Sequence, residues 1–391
     1  MNVCGVIAEY DPFHKGHERH LRLAREKTGA DFIICVMSGS FTQRGLPALL
    51  PAHARAEMAL RCGADAVLQL PYAFSVREAE YFALGGVAIL EALGCVTHLS
   101  FGSETDDLSL LQAAAKLLEK PDAEMESAIQ KSLEKGLSFA AAQGQAVAIR
   151  LNIPAKTFDA PNTALAISYL RALIRLNSSI LPLPILRETD YHADELEALP
   201  SASAVRSAIL RGDWAGLKKA IPKNALPTLE QAIRQGICPP DGLDMILRHR
   251  LLLSSPEEIA QWPGVSEGLE MRILKAAATA VSREALIDTI KTRRYTRGRL
   301  SRALCHGIMG VTKADLPAFP TSARILGFRE SARPLLRQIQ KHTQENGFSL
   351  YARPAKEAAA ALDCRADDLW HIAAGLPRGE TYRMQPVIVH K

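Results

Sequence analysis

Ala8-Glu9-Tyr10-Asp11-Pro12-Phe13-His14-Lys15-Gly16-His17 is the stretch whose reading decides the fold. It follows a short apolar run, Met1 to Ala8, in which Val3, Val6 and Ile7 favour a buried parallel strand. After it, Glu18 to Lys27 carries Leu21, Leu23 and Ala24 at near-helical spacing. The H-x-G-H therefore falls at a strand-to-helix turn, where the first helical N–H groups and the helix dipole favour an anion. On this reading Gly16 lets a phosphate approach the backbone, while the His14 and His17 imidazoles donate hydrogen bonds to phosphoryl oxygens. Such a turn suits a nucleoside triphosphate whose α-phosphate is under attack. The alternatives are a plain helix cap or a metal site shared with Glu18 and His20. An H-E-x-H spacing does not put two histidines on one helical face as H-E-x-x-H does, so no metal site is assigned. His20 reads as a partly exposed helix residue.

Further apolar runs at Asp31–Met37, Ala66–Leu70, Val96–Phe101 and Ile180–Leu186 alternate with helical patterns near 51–62 and 77–93. This alternation predicts a parallel sheet with helices on both faces, whose ligands bind at the carboxyl ends of the strands. The unusual loops follow those ends: the histidine loop, Ser38–Gly45, Phe101-Gly102-Ser103-Glu104 and Arg187. Neither G-x-G-x-x-G nor G-x-x-x-x-G-K-[ST] occurs, which disfavours a dinucleotide dehydrogenase or a P-loop NTPase. From about residue 203 helical patterns dominate, and Gly212, Gly216, Pro222 and Pro227 punctuate the change. The division is placed at 1–215 and 216–391.

Composition sets further bounds. A chain of 391 residues with 48% hydrophobic content supports two domains with substantial cores. Its seven cysteines show no C-x-x-C pair and read as reduced thiols. No window approaches the ~18 uninterrupted apolar residues of a membrane span, and the expected location is the cytoplasm. Net charge is uneven: residues 1–200 carry 18 basic against 24 acidic side chains, residues 201–391 carry 29 against 18. A basic second half suits a polyanionic partner. Within it, Lys291 to Arg302 holds six positive residues (Lys291, Arg293, Arg294, Arg297, Arg299, Arg302), no negative ones, and Tyr295 in the middle. Phosphate contacts plus a stacking platform are what RNA binding needs; a solvated basic helix is the simpler alternative. Ile259–Val265 has a weak resemblance to a helix-hairpin-helix turn, and a plain helix–turn–helix packing unit is the preferred reading. Ser201 to Arg206 reads as a Ser-capped helix start whose hydroxyls and guanidinium suit phosphates, and Asn162 in Ala160-Pro161-Asn162-Thr163 caps a helix or reads a base or ribose.

Taken together, Glu9–His17, Met37–Gly45, Phe101–Glu104, Pro161–Asn162, Ser201–Arg206 and Arg293–Arg302 resemble, in order, the landmarks of the bacterial tRNA(Met) cytidine acetate ligase family within the HIGH-type nucleotidyltransferase superfamily. Asp11 and Lys15 stand where that pattern has Asn, as does Ser40. The resemblance implies an α/β, Rossmann-like nucleotidyltransferase domain with a parallel sheet, followed by a mostly α-helical, basic tRNA-binding domain. It implies an ATP-dependent ligase that makes acetyl-adenylate and passes the acetyl group to N4 of the wobble cytidine of elongator tRNA(Met). His14 and His17 would act at the α-phosphate. Ile7, Ala8, Glu9, Gly16, Gly102, Asn162, Arg187, Ser203 and Arg206 would hold the nucleotide with Mg²⁺, and Lys291 to Arg302 would hold tRNA. The family's substrates are ATP, acetate and the tRNA, with no membrane or obligate protein partner. The competing readings are a small-molecule adenylyltransferase of the nicotinamide or pantetheine type and a non-catalytic tRNA-binding protein. A class I aminoacyl-tRNA synthetase lacks support, since no K-M-S-K-S-like lysine pair appears.

Overall fold

The computed structural model describes residues 1–158, 160–187, 201–354 and 358–390. Among these residues eight strands form one sheet: β1 (Val3–Ala8), β2 (Phe32–Ser38), β3 (Ala66–Leu70), β4 (His98–Ser103), β5 (Leu181–Leu186), β6 (Ser322–Arg329), β7 (Ser349–Tyr351) and β8 (Val387–Val389). Their order is β5-β4-β1-β2-β3-β6-β7, with β8 also on β6. From β5 to β3 every pairing is parallel. The chain runs outward from β1 through β2 to β3, then returns to lay β4 on the other side of β1. That reversal is a topological switch point, and it opens a crevice at the carboxyl end of β1. The expected α/β fold with its parallel sheet is present.

Alternation along β1 feeds two cores. Val3 and Ile7 join Val36, Leu90 and Leu99 on one face, while Cys4 and Val6 join Ile33, Cys35 and Leu21 on the other. Glycine permits the closest approach: a Cβ on Gly5 of β1 would lie 2.6 Å from Leu90, and on Gly86 of the helix Ala79–Ala92, 2.6 Å from Ile7. On Gly85 of the same helix, a Cβ would lie 2.6 Å from Phe74 Cβ.

Strand β1 leads through Tyr10 (φ +48°) and a cis Asp11–Pro12 bond into α1 (Lys15–Thr28). The predicted strand at Ile180–Leu186 and helices near 51–62 and 77–93 correspond to β5, Ala52–Arg61 and Ala79–Ala92. All seven cysteines are free thiols. Among the described residues no helix is long and apolar enough to cross a membrane.

The sheet continues across the boundary placed at 215/216. Strand β6 runs antiparallel to β3, and β7 and β8 flank it, so the C-terminal region both carries the helices of residues 244–309 and completes the N-terminal sheet. Those helices have their own core around Trp262, Ile273 and Leu300. Trp262 fills the space above Gly307, so the hairpin-like turn at 259–265 is a packing unit.

Gly85→Ala drives a methyl group into Phe74 and is expected to cost about 1–3 kcal/mol, as overpacked cores do. A urea midpoint matching the parent's would contradict this account of the packing.

Candidate active site

A cleft of about 440 Å³ opens at the switch point. Ile7, Ala8, Glu9, His14, His17, Gly102, Asn162, Arg187, Ser203 and Arg206 all line it. Gly16 does not belong with them.

His14 is the N-cap of α1, and the two histidines form a reciprocal capping box. His14 Nδ1 accepts from the Gly16 N–H at 3.1 Å, and His17 Nδ1 accepts from the His14 N–H at 3.3 Å. The rings stack with centroids 3.8 Å apart. A nitrogen that accepts a backbone N–H carries no proton, so each neutral ring holds its proton on Nε2. Burial, with Arg187 and Arg206 nearby, pushes the His14 pKa down to about 3. Burial and His14 hold His17 well below the usual histidine value. The pair is therefore two neutral N–H donors rather than two cations. The role expected for Gly16 needs correction: its N–H is committed to His14, and a Cβ there would lie 2.9 Å from the His14 ring. Glycine at this position makes room for the imidazole. His20, read as a partly exposed helix residue, also lines the cleft, its Nε2 3.0 Å from Ser100 Oγ.

Positive charge comes from arginines. Arg206 donates to the Asp11 carbonyl at 2.8 Å and to Ser203 Oγ at 3.2 Å, fixing the helix Ala202–Arg211 against the motif loop. Ser201 caps that helix by accepting from the Ala204 N–H. Arg187 follows β5 and lies across Gly102, whose absent Cβ leaves 3.3 Å to the arginine side chain. Among the described residues the Arg187 guanidinium has no acidic partner.

Sequence reading singled out Glu9 and the loop ending at Glu104 but not their part in holding this frame, and it missed Arg55. Glu104 accepts from Asn162 Nδ2 (2.6 Å), Thr163 N (2.7 Å) and Thr163 Oγ1 (2.9 Å). Burial works to raise the Glu104 pKa, but the bonds from Asn162 and Thr163 outweigh it and hold the carboxyl below its ordinary value. The carboxylate thus occupies the N-terminus of the helix Pro161–Arg175 and turns the Asn162 amide, leaving the Asn162 oxygen as its available group. Glu9 lines the cleft but spends one carboxylate oxygen on the Gln43 N–H at 2.6 Å, tying down the loop after β2. Arg55, 0% exposed, donates to the carbonyls of Leu50 (3.1 Å), Glu9 (2.6 Å), Ser38 (3.1 Å) and Gly39. Alternation of apolar residues carries no signal for such carbonyl clamps.

The same loop is pinned from the far side by the basic segment and by the helix Arg283–Ile290 that precedes it. Arg283 donates to the Gly45 carbonyl at 3.0 Å, and Ser301 Oγ donates to the Arg44 carbonyl. Two expectations for that segment change. Tyr295 is 6% exposed, its hydroxyl donates to the Ser266 carbonyl at 3.0 Å, and Arg299 stacks over its ring, so it is not an open platform for a base. Arg299 is spent on Gly264 and Ser266, while Lys291, Arg293, Arg294 and Arg297 are exposed. Lys291, Arg294 and Arg297 carry acidic partners at Asp288, Glu267 and Glu284.

A helix-capping histidine pair at the switch point of a parallel sheet, faced by two arginines, defines a nucleotidyl-transfer site. The model of the HIGH Nucleotidyl Transferase family matches residues 1–382. A tRNA(Met) cytidine acetate ligase from Acetivibrio thermocellus is 40% identical, the alignment covering 95% of this chain and 94% of the relative. One from Clostridium perfringens is 32% identical over 99% of this chain and 100% of its own length. A crystal structure of Thermotoga maritima TmcAL bound with alpha-thio ATP superposes with a TM-score of 0.90 at 27% identity, covering 100% of both chains. The chain belongs to the tRNA(Met) cytidine acetate ligase family of HIGH nucleotidyl transferases.

Both histidines are neutral in the folded chain at a pH where an unfolded histidine, near 6.5, is already charged. Stability is therefore fully present above pH 6.5 and falls as pH drops toward about 3. At pH 5–6 each such ring steepens the loss by about 1.4 kcal/mol per pH unit. Replacing both, as His14→Asn with His17→Gln, is expected to flatten the pH dependence of the urea midpoint. An unchanged slope would show that the rings are charged when folded.

Proposed function

We propose that this chain is an ATP-dependent acetate ligase that forms acetyl-adenylate and then N4-acetylcytidine at the wobble position of elongator tRNA(Met). The observation that carries the reading is the neutral His14–His17 pair, with Nε2–H donors, lining one cleft with Arg187 and Arg206. Family membership and the nucleotide held by the Thermotoga structure support ATP as the substrate.

In the first step an acetate oxygen attacks the α-phosphorus, and the bond to the bridging oxygen of the β-phosphate breaks. Acetate is already ionised at neutral pH, so no general base is needed. Catalysis is positioning plus charge stabilisation. His14 and His17 donate to the α-phosphoryl oxygens, and Ser203, Arg206 and Arg187 receive the charge of the departing pyrophosphate. The Asn162 oxygen and the backbone at Ile7 to Glu9 and Gly102 orient the nucleoside. In the second step the cytidine N4 attacks the acetyl carbonyl carbon, AMP leaves, and N4 loses a proton. The cleft carboxylates Glu9 and Asp11 are bonded to the N–H groups of Gln43 and Leu49, and no metal-binding group of three or more His, Cys, Asp or Glu occurs among the described residues. This donor set fits a Mg²⁺ that arrives on the triphosphate oxygens and lowers their charge repulsion. The exposed cations Lys291, Arg293, Arg294 and Arg297 supply phosphate contacts for tRNA. The reading places the enzyme in the cytoplasm and requires no protein partner.

The direct test is mass spectrometry of nucleosides from unmodified tRNA(Met) incubated with the protein, ATP, Mg²⁺ and isotopically labelled acetate. Labelled N4-acetylcytidine is the expected product. Pyrophosphate released only on adding a phosphorylated small-molecule acceptor would instead support a cofactor adenylyltransferase. His17→Ala is expected to lower product formation about 10²–10³-fold, the usual cost of one charge-stabilising donor, with tRNA affinity retained. Arg293→Ala with Arg294→Ala is expected to raise the KM for tRNA and to reduce its salt dependence. An unchanged KM would remove these residues from the tRNA surface.

A further inference from the structure

The helix Pro161–Arg175 borders two clefts. Asn162, Leu165 and Tyr169 face the nucleotide cleft, whereas Ala164, Ile167, Ser168 and Arg171 face a second cleft of about 550 Å³. Nothing in the mechanism uses the second one. Both regions of the chain build it: Tyr81, Phe139 and Gln143 from the N-terminal part, and Arg294, Arg299 and Arg302 from the basic segment.

Three observations define what fits there. First, the charge is cationic. Glu80 is paired with Arg171 at 3.4 Å and Arg175 at 2.7 Å, and Glu78 stands 3.8 Å from Arg302 against several surrounding arginines. Second, Arg302 stands in a wall of the cleft with its side chain 17% exposed, and its nearest carboxylate oxygen, on Glu78, lies beyond hydrogen-bond distance. A smaller hollow of about 230 Å³ shares Arg299 and Arg302 with this cleft and adds Arg77 and Lys313, extending the cationic surface beyond it. Third, Phe139 is the lining residue that is both large, apolar and exposed, at 57%. An aromatic face, a side-chain amide at Gln143 and the partly exposed Arg302 guanidinium match a nucleobase with its phosphate. A docking helix would call for an apolar groove without the buried cationic wall. The volume lies in the range of sites that enclose a small molecule.

We propose that this cleft seats an unstacked nucleotide of the RNA substrate, one flanking the base that enters the nucleotide cleft. Its base stacks on Phe139 and its phosphate lies at Arg302. Splaying two neighbouring nucleotides to either side of the Pro161–Arg175 helix would hold the reactive one out of the anticodon stack. This inference rests on the tRNA reading above.

The test compares Phe139→Ala and Phe139→Tyr in the full chain, with kcat and KM for acetylation of a tRNA(Met) transcript and the tRNA Kd measured by filter binding. The alanine variant is expected to raise KM and Kd at least about fivefold with kcat retained, and tyrosine, which keeps the stacking face, to restore both. A purely structural role would not give that split. Unchanged KM and Kd in Phe139→Ala, beside a wild type that acetylates normally, would overturn the cleft assignment alone. A wild type that binds tRNA without acetylating it would overturn the ligase reading, while the Kd still decides the cleft. No tRNA binding by the wild type would overturn both.

Discussion

The Arg55 guanidinium reaches the carbonyls of Glu9, Ser38, Gly39 and Leu50, and so joins the end of β1 to the loop after β2 and to the start of the next helix. Each of these carbonyls lies where water does not reach the guanidinium, so a missing donor there costs about 1–3 kcal/mol per group. The charge itself is buried, and desolvation pulls its pKa down against the opposing pull of Asp11, Glu9 and Asp367. Every other feature of the cleft builds on this clamp. Glu9 is free to hold Gln43 because its own carbonyl is fixed, and Asp11 holds the Leu49 N–H at 2.7 Å on the same frame. On the outer side Ser40 reaches Asp367, which also accepts from Thr381 at 3.0 Å and lies 3.4 Å from Arg324. The loop after β2 is thereby bonded to the first strand, to the basic helix and to the C-terminal helix.

Charge in the cleft is divided by function. Arg187 and Arg206 supply the positive field, while the histidines nearest the motif turn act as neutral donors. Burial disfavours the charged ring, repulsion by Arg187 and Arg206 adds to it, and the low His14 pKa expresses both. Glu104 has the opposite task. It fills a helix N-terminus that would otherwise compete for the phosphates, and spends its charge on orienting Asn162.

Most of the α/β layout was legible because apolar period and turn chemistry agree along residues 1–187. The motif turn was legible as well, since His14, Gly16 and His17 have few structural reasons to stand together after a strand. What stayed hidden was pairing at a distance. Sequence shows that Gly16 lacks a Cβ, but not that the His14 ring takes the vacant space. Tyr295 among arginines reads as exposed, yet its ring is covered by Arg299 and its hydroxyl is bonded to Ser266. Strand β6 was overlooked for a related reason. Its Arg324 is 2% exposed and neutralised by Asp367, whereas an arginine in a short run argues against a buried strand.

The placement of β6 has a further consequence for how the chain is made. Strands β1 to β5 are complete by residue 186, but the open edge of β3 receives its antiparallel partner only with Ser322–Arg329. During synthesis about 250 residues emerge between the two strands, roughly ten to fifty seconds at ribosomal rates. Over that interval β3 presents unpaired N–H and C=O groups, the kind of edge to which other chains add strands. The nascent polypeptide thus passes through a vulnerable stage, and the sheet is closed only when the last fifth of the polypeptide folds back onto the first.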